Sequence, residues 1–209
     1  MKGSQITKES IINVATDLFA SKGYKGASIR DIAKAAGITI PNIYHYFGNK
    51  EGLLLTILED TTKYVGEQLQ RISEMDIDPI ARFRLMIKTH IVLLEKYQNE
   101  AASMYILPDE SLSSKGKEIT RKYERNFIEI YRKELRTLQS LGYVQCRSVT
   151  VCTFNILGII LWRFRWYKPD GPLTLEEVAE EIINFIFHGI LHNPTSDAEH
   201  GVSSNTVNK

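Results

Sequence analysis

A chain of 209 residues is long enough for one or two small domains, and its 43% hydrophobic residues can fill a sizeable core. The formal net charge of +1 excludes a polycation that binds nucleic acid through its whole surface. Residues 1–50 nevertheless contain seven Lys or Arg against three Asp or Glu, so this part carries +4 and the remainder −3. A basic N-terminal part on a mildly acidic body favours local contact with phosphates.

The N-terminus has no apolar signal-peptide region, and the most apolar run, Val149–Trp162, is shorter than the ~20 residues that span a bilayer. We therefore predict that this run is a buried helix. The two cysteines, Cys146 and Cys152, have a spacing that suits neither a zinc site nor a redox pair. We expect both to be reduced thiols, in or near the core of a cytoplasmic protein.

The stretch from Ser28 to Lys50 predicts two short helices around a tight turn. Ser28 is suited to cap the first helix, and Gly37 stands where a helix ends in a left-handed residue. Thr39 is suited to cap the second helix, and Pro41 lies in its first turn, where a missing N–H costs little. Two helices around a Gly-containing turn make a helix-turn-helix, whose second helix enters the major groove of DNA.

The motif that continues from this turn is more specific. The letters GITIPNIYHYFGNKEGLL (residues 37–54) place aromatic residues at the end of the second helix and a Lys-Glu pair at the start of the next. This pattern resembles the tetracycline-repressor (TetR) family of bacterial transcription regulators, in which a Tyr-x-x-Phe helix precedes a Lys-Glu-x-Leu start to a linking helix. The resemblance implies a three-helix DNA-binding domain, in which a first helix packs behind the turn, and a regulator that is not an enzyme.

Further helices follow from apolar residues at helical spacing and from capping residues, and no strand or internal repeat is indicated. The helices outside the turn are expected at about residues 7–23, 50–73, from 79 onward, 101–107, 115–141, 147–167 and 175–191. The predicted fold is all-α with about nine helices. It divides into a helix-turn-helix DNA-binding head at residues 1–49, a ligand-binding and dimerisation body at 50–192 and a polar, disordered tail at 193–209.

The last two long helices are apolar on more than one side. Ile182, Ile186 and Ile190 form one row, and Ile183 and Phe187 form another. A helix that is apolar nearly all round is buried on both sides. One side can face the core and the other a second subunit, so we predict a homodimer through these helices.

The candidate DNA contacts lie on the second helix of the turn and on its flanks. Asn42 has the amide geometry to pair with adenine, and Ile40 could contact a thymine methyl group. At helix N-termini, Ser28 and Lys50 can hold phosphate. The resemblance adds Tyr44 and His45 as phosphate or base contacts. The predicted set is Ser28, Arg30, Thr39, Ile40, Pro41, Asn42, Tyr44, His45 and Lys50, with Lys25 as a weaker candidate; the alternative for each is that it only faces solvent.

A second pattern, W-x-x-x-W-Y-x-P-x-G-x-L-T-x-E-E-V-A at residues 162–179, resembles one branch of the same family. Members of that branch control fatty-acid, aromatic-acid or steroid catabolism and respond to coenzyme A thioesters. The resemblance implies a repressor that an acyl-CoA effector releases from a palindromic operator. An apolar interior would take the acyl group, while guanidinium groups would hold the phosphates and an aromatic face would stack on adenine. The predicted ligand-binding set is Tyr64, Phe83, Met86, Ile87, Tyr123, Phe127, Phe154, Arg163, Arg165 and Trp166.

Several alternatives remain open at this point. The aromatics Trp162, Trp166 and Tyr167 are equally well explained as packing residues of the core or of a dimer. The effector could be a neutral, hydrophobic, drug-like molecule. A helical acyl-thioester enzyme or carrier and a protein–protein adaptor are rivals from other classes, although no catalytic set is visible. No cofactor is implied, and His188 and His192 have the spacing of a helical metal pair but no third ligand nearby, so no metal site is predicted.

Overall fold

The computed structural model describes residues 8–96 and 112–190, and within them the chain is α-helical, with one 3₁₀ turn and no strand. The helices are α1 (Lys8–Gly26), α2 (Ile29–Ala36), α3 (Ile40–Phe47), α4 (Lys50–Ser73), α5 (Pro79–Lys96), α6 (Ser114–Ser140), α7 (Val149–Trp162) and α8 (Leu175–Ile190). The predicted all-α fold is confirmed. The predictions for residues 101–107 and 193–209 lie outside the described residues.

The chain forms two compact units. Of the described residues, 8–71, 89–96 and 112–127 belong to the first unit, and 72–88 and 128–190 belong to the second. The first unit therefore combines the predicted head with most of α4 and with parts of α5 and α6. The functional boundary predicted at residue 49 stays a prediction.

The core of the first unit explains why the predicted head does not stand alone. Helix α1 packs on α2 and α2 on α3, yet α3 buries only Ile43 and Phe47. Three helices this short enclose too little apolar surface to be stable by themselves. One continuous cluster joins them to the first turns of α4; its fully buried members are Ile11, Ala15, Phe19, Ala27, Ile32, Ala33, Ile43, Phe47, Leu53, Leu54, Ile57 and Leu58.

Glycines in left-handed backbone end the helices around the turn. Gly37 (φ 67°, ψ 32°) closes α2 and donates its N–H to the carbonyls of Ala33 and Lys34, as the sequence predicted. The regular part of the first helix ends as predicted, because Gly23 has a non-helical backbone (φ 71°, ψ 161°). A kinked turn to Gly26 follows it within α1.

The second unit contains α7 and α8, which pack on each other. Helix α7 was predicted at residues 147–167, but it begins after its cap Ser148 and ends at Trp162. A 3₁₀ turn, Arg163–Arg165, follows, and the N–H groups of Trp166 and Tyr167 donate to the Arg163 carbonyl. Pro169, which lacks an N–H, follows this turn, and proline is common just after a helix because it cannot continue one. None of the described helices is long and apolar enough to cross a membrane.

Candidate DNA interface and effector residues

Ser28 caps α2 as predicted, but its polar groups are already engaged. Its hydroxyl accepts the N–H of Asp31 at 3.1 Å and donates to Asp31 Oδ2 at 2.8 Å. The Ser28 N–H donates to the same carboxylate at 3.2 Å, which completes a capping box and lowers the pKa of Asp31. A phosphate can accept from the Ser28 hydroxyl only if the hydrogen bond to Asp31 opens. The Ser-x-x-Asp spacing was the available signal for this box, and the sequence reading missed it.

Helix α3 presents its polar and aromatic residues to solvent. Ile43 and Phe47 are buried on one face of α3. Successive side chains of an α-helix are rotated by about 100° about the helix axis. The opposite face therefore carries Pro41 and His45, with Asn42 and Tyr44 on either side. These four side chains are exposed, so they are available for contact with a groove. A fifth candidate, Ile40, is half-buried against the core, so only part of it is available to a base.

Thr39 stands at the N-cap of α3 (φ −88°, ψ 153°), but its side chain does not cap the helix. Its hydroxyl donates to Oδ1 of Asn42, and its backbone carbonyl accepts the Asn42 N–H at 3.1 Å. The predicted side-chain cap is therefore wrong. The hydrogen bond from Thr39 uses only the amide oxygen of Asn42. The two amide N–H groups of Asn42 remain available to a partner outside the protein.

Lys50 opens α4, three residues after the end of α3. Its Nζ lies 4.3 Å from the centroid of the Tyr24 ring, within the range of a cation–π contact. The side chain is half-buried, and burial lowers the pKa of the ammonium group. The contact with Tyr24 holds this charge near the end of α3. The other two basic candidates, Arg30 and Lys25, are exposed.

The predicted effector residues do not all lie in the interior. In the second unit Phe83, Met86 and Ile87 are fully buried, and the Phe83 ring stacks on Phe187 with centroids 5.9 Å apart. Tyr64 is 39% exposed and Phe154 is 54% exposed, so the expectation that both are interior is wrong. Phe154 is exposed because α7 buries the face that carries its neighbours Cys152, Thr153, Ile156, Leu157 and Ile160.

In the first unit Phe127 is buried and Tyr123 is half-buried. The ring of Phe127 stacks on His90 with centroids 5.5 Å apart, and burial lowers the pKa of His90 to about 3. Burial raises the pKa of the Tyr123 phenol, and its hydrogen bond with Glu59 adds to the shift. His90 is therefore neutral at physiological pH and packs as an aromatic residue.

Residues 163–168, which follow α7, are all cationic or aromatic, and they range from buried to exposed. Arg163 is fully buried, and its guanidinium lies 4.9 Å from the Phe164 ring centroid and 5.2 Å from that of Tyr167. Its predicted place at the rim of a ligand site is wrong. Arg165 and Trp166 are exposed, so these two can reach a ligand in solvent.

Four exposed apolar side chains form what we call the apolar stripe. Its members are Val151, Phe154 and Trp162 on α7 and Phe185 on α8, with exposures of 56%, 54%, 64% and 67%. Gly158 lies on the same face of α7, and a Cβ atom at this position would meet no other atom within 4 Å. The sequence predicted that one side of α8 faces the core and the other a partner, but members of both apolar rows are buried: Ile182, Ile183 and Ile186 are at most 7% exposed.

The two cysteines are closer than their spacing suggested. The buried Cys152 thiol forms a hydrogen bond with Cys146, and burial, together with this contact, raises the pKa of Cys152 to about 11. Both thiols are reduced in this structure. Among residues 8–96 and 112–190, no three His, Cys, Asp or Glu side chains are grouped to hold a metal ion.

Comparison with known proteins gives a consistent result. The family model "Bacterial regulatory proteins, tetR family" matches residues 11–57, and "Tetracyclin repressor-like, C-terminal domain" matches residues 76–190. The chain is 26% identical over 192 residues to the transcriptional repressor KstR2 of Mycolicibacterium smegmatis, covering 88% of this chain and 90% of that protein.

Solved structures agree in fold and in length. The regulator PfmR from Thermus thermophilus is 29% identical with a TM-score of 0.78, over 85% of this chain and 97% of that one. AibR, crystallised with isovaleryl coenzyme A and operator DNA, is 27% identical with a TM-score of 0.76, over 86% and 97%. The chain therefore belongs to the tetracycline-repressor family of bacterial regulatory proteins, whose members are DNA-binding transcription regulators and not enzymes.

Proposed function

We propose that this protein is a homodimeric repressor that binds a palindromic operator through α3 of each protomer and leaves it when an acyl-CoA thioester binds the body. The DNA-binding part of this proposal rests on the difference between the buried and the exposed side of α3. Ile43 and Phe47 are anchored in the core, while Asn42, Tyr44 and His45 are exposed on the other side. We assign base reading to Asn42, and phosphate or base contact to Tyr44 and His45, with Lys50 holding a backbone phosphate.

The apolar stripe supports dimerisation through α7 and α8. In a twofold symmetric dimer the same patch meets its own copy. Four large apolar side chains are exposed on these two packed helices and are available for such a contact, and the exposed Gly158 allows a partner helix to approach closely. Pairing through this face would give one operator-binding unit two recognition helices.

The acyl-CoA effector is supported by the AibR complex with isovaleryl coenzyme A and by two residues of this chain. Arg165 is an exposed guanidinium suited to phosphate, and the exposed Trp166 offers a face for stacking. The burial of Arg163 and the wholly apolar group Phe83, Met86 and Ile87 favour the alternative, a neutral hydrophobic ligand that needs no cation.

The DNA-binding part is tested by selecting duplexes from a randomised pool and measuring affinity at several salt concentrations. A repressor yields a palindromic consensus and an affinity that falls steeply with salt. Failure to enrich any sequence, together with binding that does not respond to salt, would exclude this function.

The effector is tested by calorimetry with isovaleryl-CoA and with isovalerate. We expect the thioester to bind more tightly and to dissociate the selected duplex. Arg165→Ala should weaken thioester binding, and Lys168→Ala, which removes an equally exposed cation nearby, should not. Equal affinity for thioester and free acid would mean that the coenzyme A part adds no binding energy, and it would exclude the acyl-CoA effector.

A further inference from the structure

A carboxylate beside the recognition helix is held by a helix that lies far away in the sequence. Glu51 is in the first turn of α4, four residues after Phe47. Its Oε1 accepts two hydrogen bonds from Ser113, one from the backbone N–H at 2.8 Å and one from the hydroxyl at 2.8 Å. Ser113 precedes α6 and caps it, because its hydroxyl accepts the Gly116 N–H at 3.1 Å. A carboxylate at this position is favoured by the helix dipole.

Gly116 makes this approach possible. A Cβ atom at position 116 would overlap Oε1 of Glu51 and contact Leu112, so any larger residue displaces the carboxylate from the first turn of α6. The glycine is also helical and has an ordinary negative φ, so its backbone conformation does not require glycine. The absence of a side chain at this position is explained by the contact with Glu51.

The turn between α3 and α4 is short and internally bonded. The N–H of Gly48 donates to the Tyr44 carbonyl at 2.9 Å, and the N–H of Asn49 donates to the Phe47 carbonyl at 2.9 Å. The N–H of Gly52 donates to Oδ1 of Asn49 at 2.7 Å, which caps α4. A Cβ atom at Gly52 would overlap the Phe47 carbonyl, so α3 and α4 are in close backbone contact at this glycine. Whatever positions the first turn of α4 also positions the end of α3.

We infer that Glu51 is a positioning residue for DNA binding, which fixes the recognition helix α3 to the N-terminus of α6 through Ser113 and Gly116. This inference rests on the proposed function. The inference goes beyond the proposed function because it assigns the position of α3 to the contact between Glu51 and Ser113, two residues that have no proposed role in binding DNA or effector. A displacement of the first turn of α6 is then carried to α3 through one carboxylate.

The inference is tested with the full-length protein and the duplex that the wild type selects. Ser113→Ala removes the hydroxyl's hydrogen bond to Glu51 and its cap on the Gly116 N–H without changing charge, and Ser113→Thr keeps a hydroxyl for both. Glu51→Gln weakens both bonds, and its matched control is Glu67→Gln, the same charge change at an exposed position of the same helix. Circular dichroism and thermal unfolding establish that each variant is folded at the assay temperature.

We expect Ser113→Ala and Glu51→Gln each to weaken operator binding about tenfold, since hydrogen bonds to a charged group are the stronger class. The double variant should be no weaker than either single variant, because the two side chains form one contact. Ser113→Thr and Glu67→Gln should bind within about twofold of wild type. Hydrogen exchange should show reduced protection of the α3 amides in Ser113→Ala and Glu51→Gln, but not in Ser113→Thr or Glu67→Gln.

Wild-type operator affinity in folded Ser113→Ala and Glu51→Gln would overturn the inference, and so would additive losses in the double variant. Either result leaves the proposed function intact, because the wild type still selects and binds its duplex. If the wild type selects no duplex, the proposed function fails first. Exchange protection of α3 then still reports whether the contact positions the helix.

Discussion

Phe185 provides the sharpest test of the proposed dimer. It is 67% exposed, the most exposed of the large hydrophobic residues of the apolar stripe, and its neighbour Ile186 is buried at 2%. We predict that Phe185→Asp separates the protomers and leaves each of them folded. Ile186→Asp should instead unfold the second unit, because it places a charge in the core.

The size of the effect follows from the exposed fraction. A phenylalanine side chain buries at least about 150 Å² when it is fully covered, so the two-thirds exposed here offers about 100 Å² to a partner. At about 25 cal/mol per Å² this contributes about 2.5 kcal/mol. The residue occurs twice in a symmetric interface, so Phe185→Asp should cost about 5 kcal/mol and raise the dimer dissociation constant by about three to four orders of magnitude.

Sedimentation equilibrium over a range of protein concentrations measures this change, and circular dichroism verifies that the variant is helical. Val92→Asp on α5 is a suitable control, since Val92 is exposed outside the apolar stripe and should leave the association unchanged. A folded Phe185→Asp variant with the dissociation constant of the wild type would refute the assignment of α8 to the interface.

Three further predictions concern DNA contact and stability. Lys50→Ala should weaken all duplexes nearly equally and lower the slope of log affinity against log salt by about 1, as fluorescence anisotropy in a salt series can measure. Asn42→Ala should cost about 1–3 kcal/mol and relax base preference at one position of each half-site in the duplex selection; equal weakening of every sequence would contradict base reading. Arg82 donates to the buried Glu134 at 2.9 Å, and burial raises the pKa of this carboxyl although the arginine opposes the shift. Arg82→Met should therefore lower the free energy of unfolding by about 3–5 kcal/mol at pH 8 in urea titrations. Arg82 lowers the pKa of Glu134, so this pKa should rise further in the folded variant, which then binds the proton more tightly than the folded wild type does. The loss should therefore shrink as the pH falls through the pKa of Glu134 in the variant; a loss that does not change with pH would contradict the role of Glu134.

Local sequence signals were sufficient for the helix-turn-helix. Gly37 ends α2 and Pro41 lies in the first turn of α3, each at the predicted place, and Asn49 and Asp78 are local capping residues of α4 and α5. These signals work because a cap or a left-handed residue acts on backbone groups within four positions of itself. The all-α class follows from the same local information together with helical periodicity.

Periodicity alone could not tell which apolar face is buried in the chain itself and which is left for a partner. In α8 Ile182, Ile183 and Ile186 are all buried in the core, whereas Phe185 is exposed. The same ambiguity misplaced Phe154, which the sequence put in the interior. Helix packing settles the question, because a side chain is buried only where a second element covers it.

The sequence therefore determines the helices, most of their ends and the family, since each depends on residues close together in the chain. Contacts between distant residues appear only in the folded structure. Glu51 and Ser113 are 62 positions apart, and neither carries a pattern that predicts their hydrogen bonds. Arg163 shows the same limit, because an arginine is expected at the surface and becomes buried only where rings such as those of Phe164 and Tyr167 enclose it. Burial and long-range pairing depend on how helices are placed against each other, and that placement is a property of the whole fold.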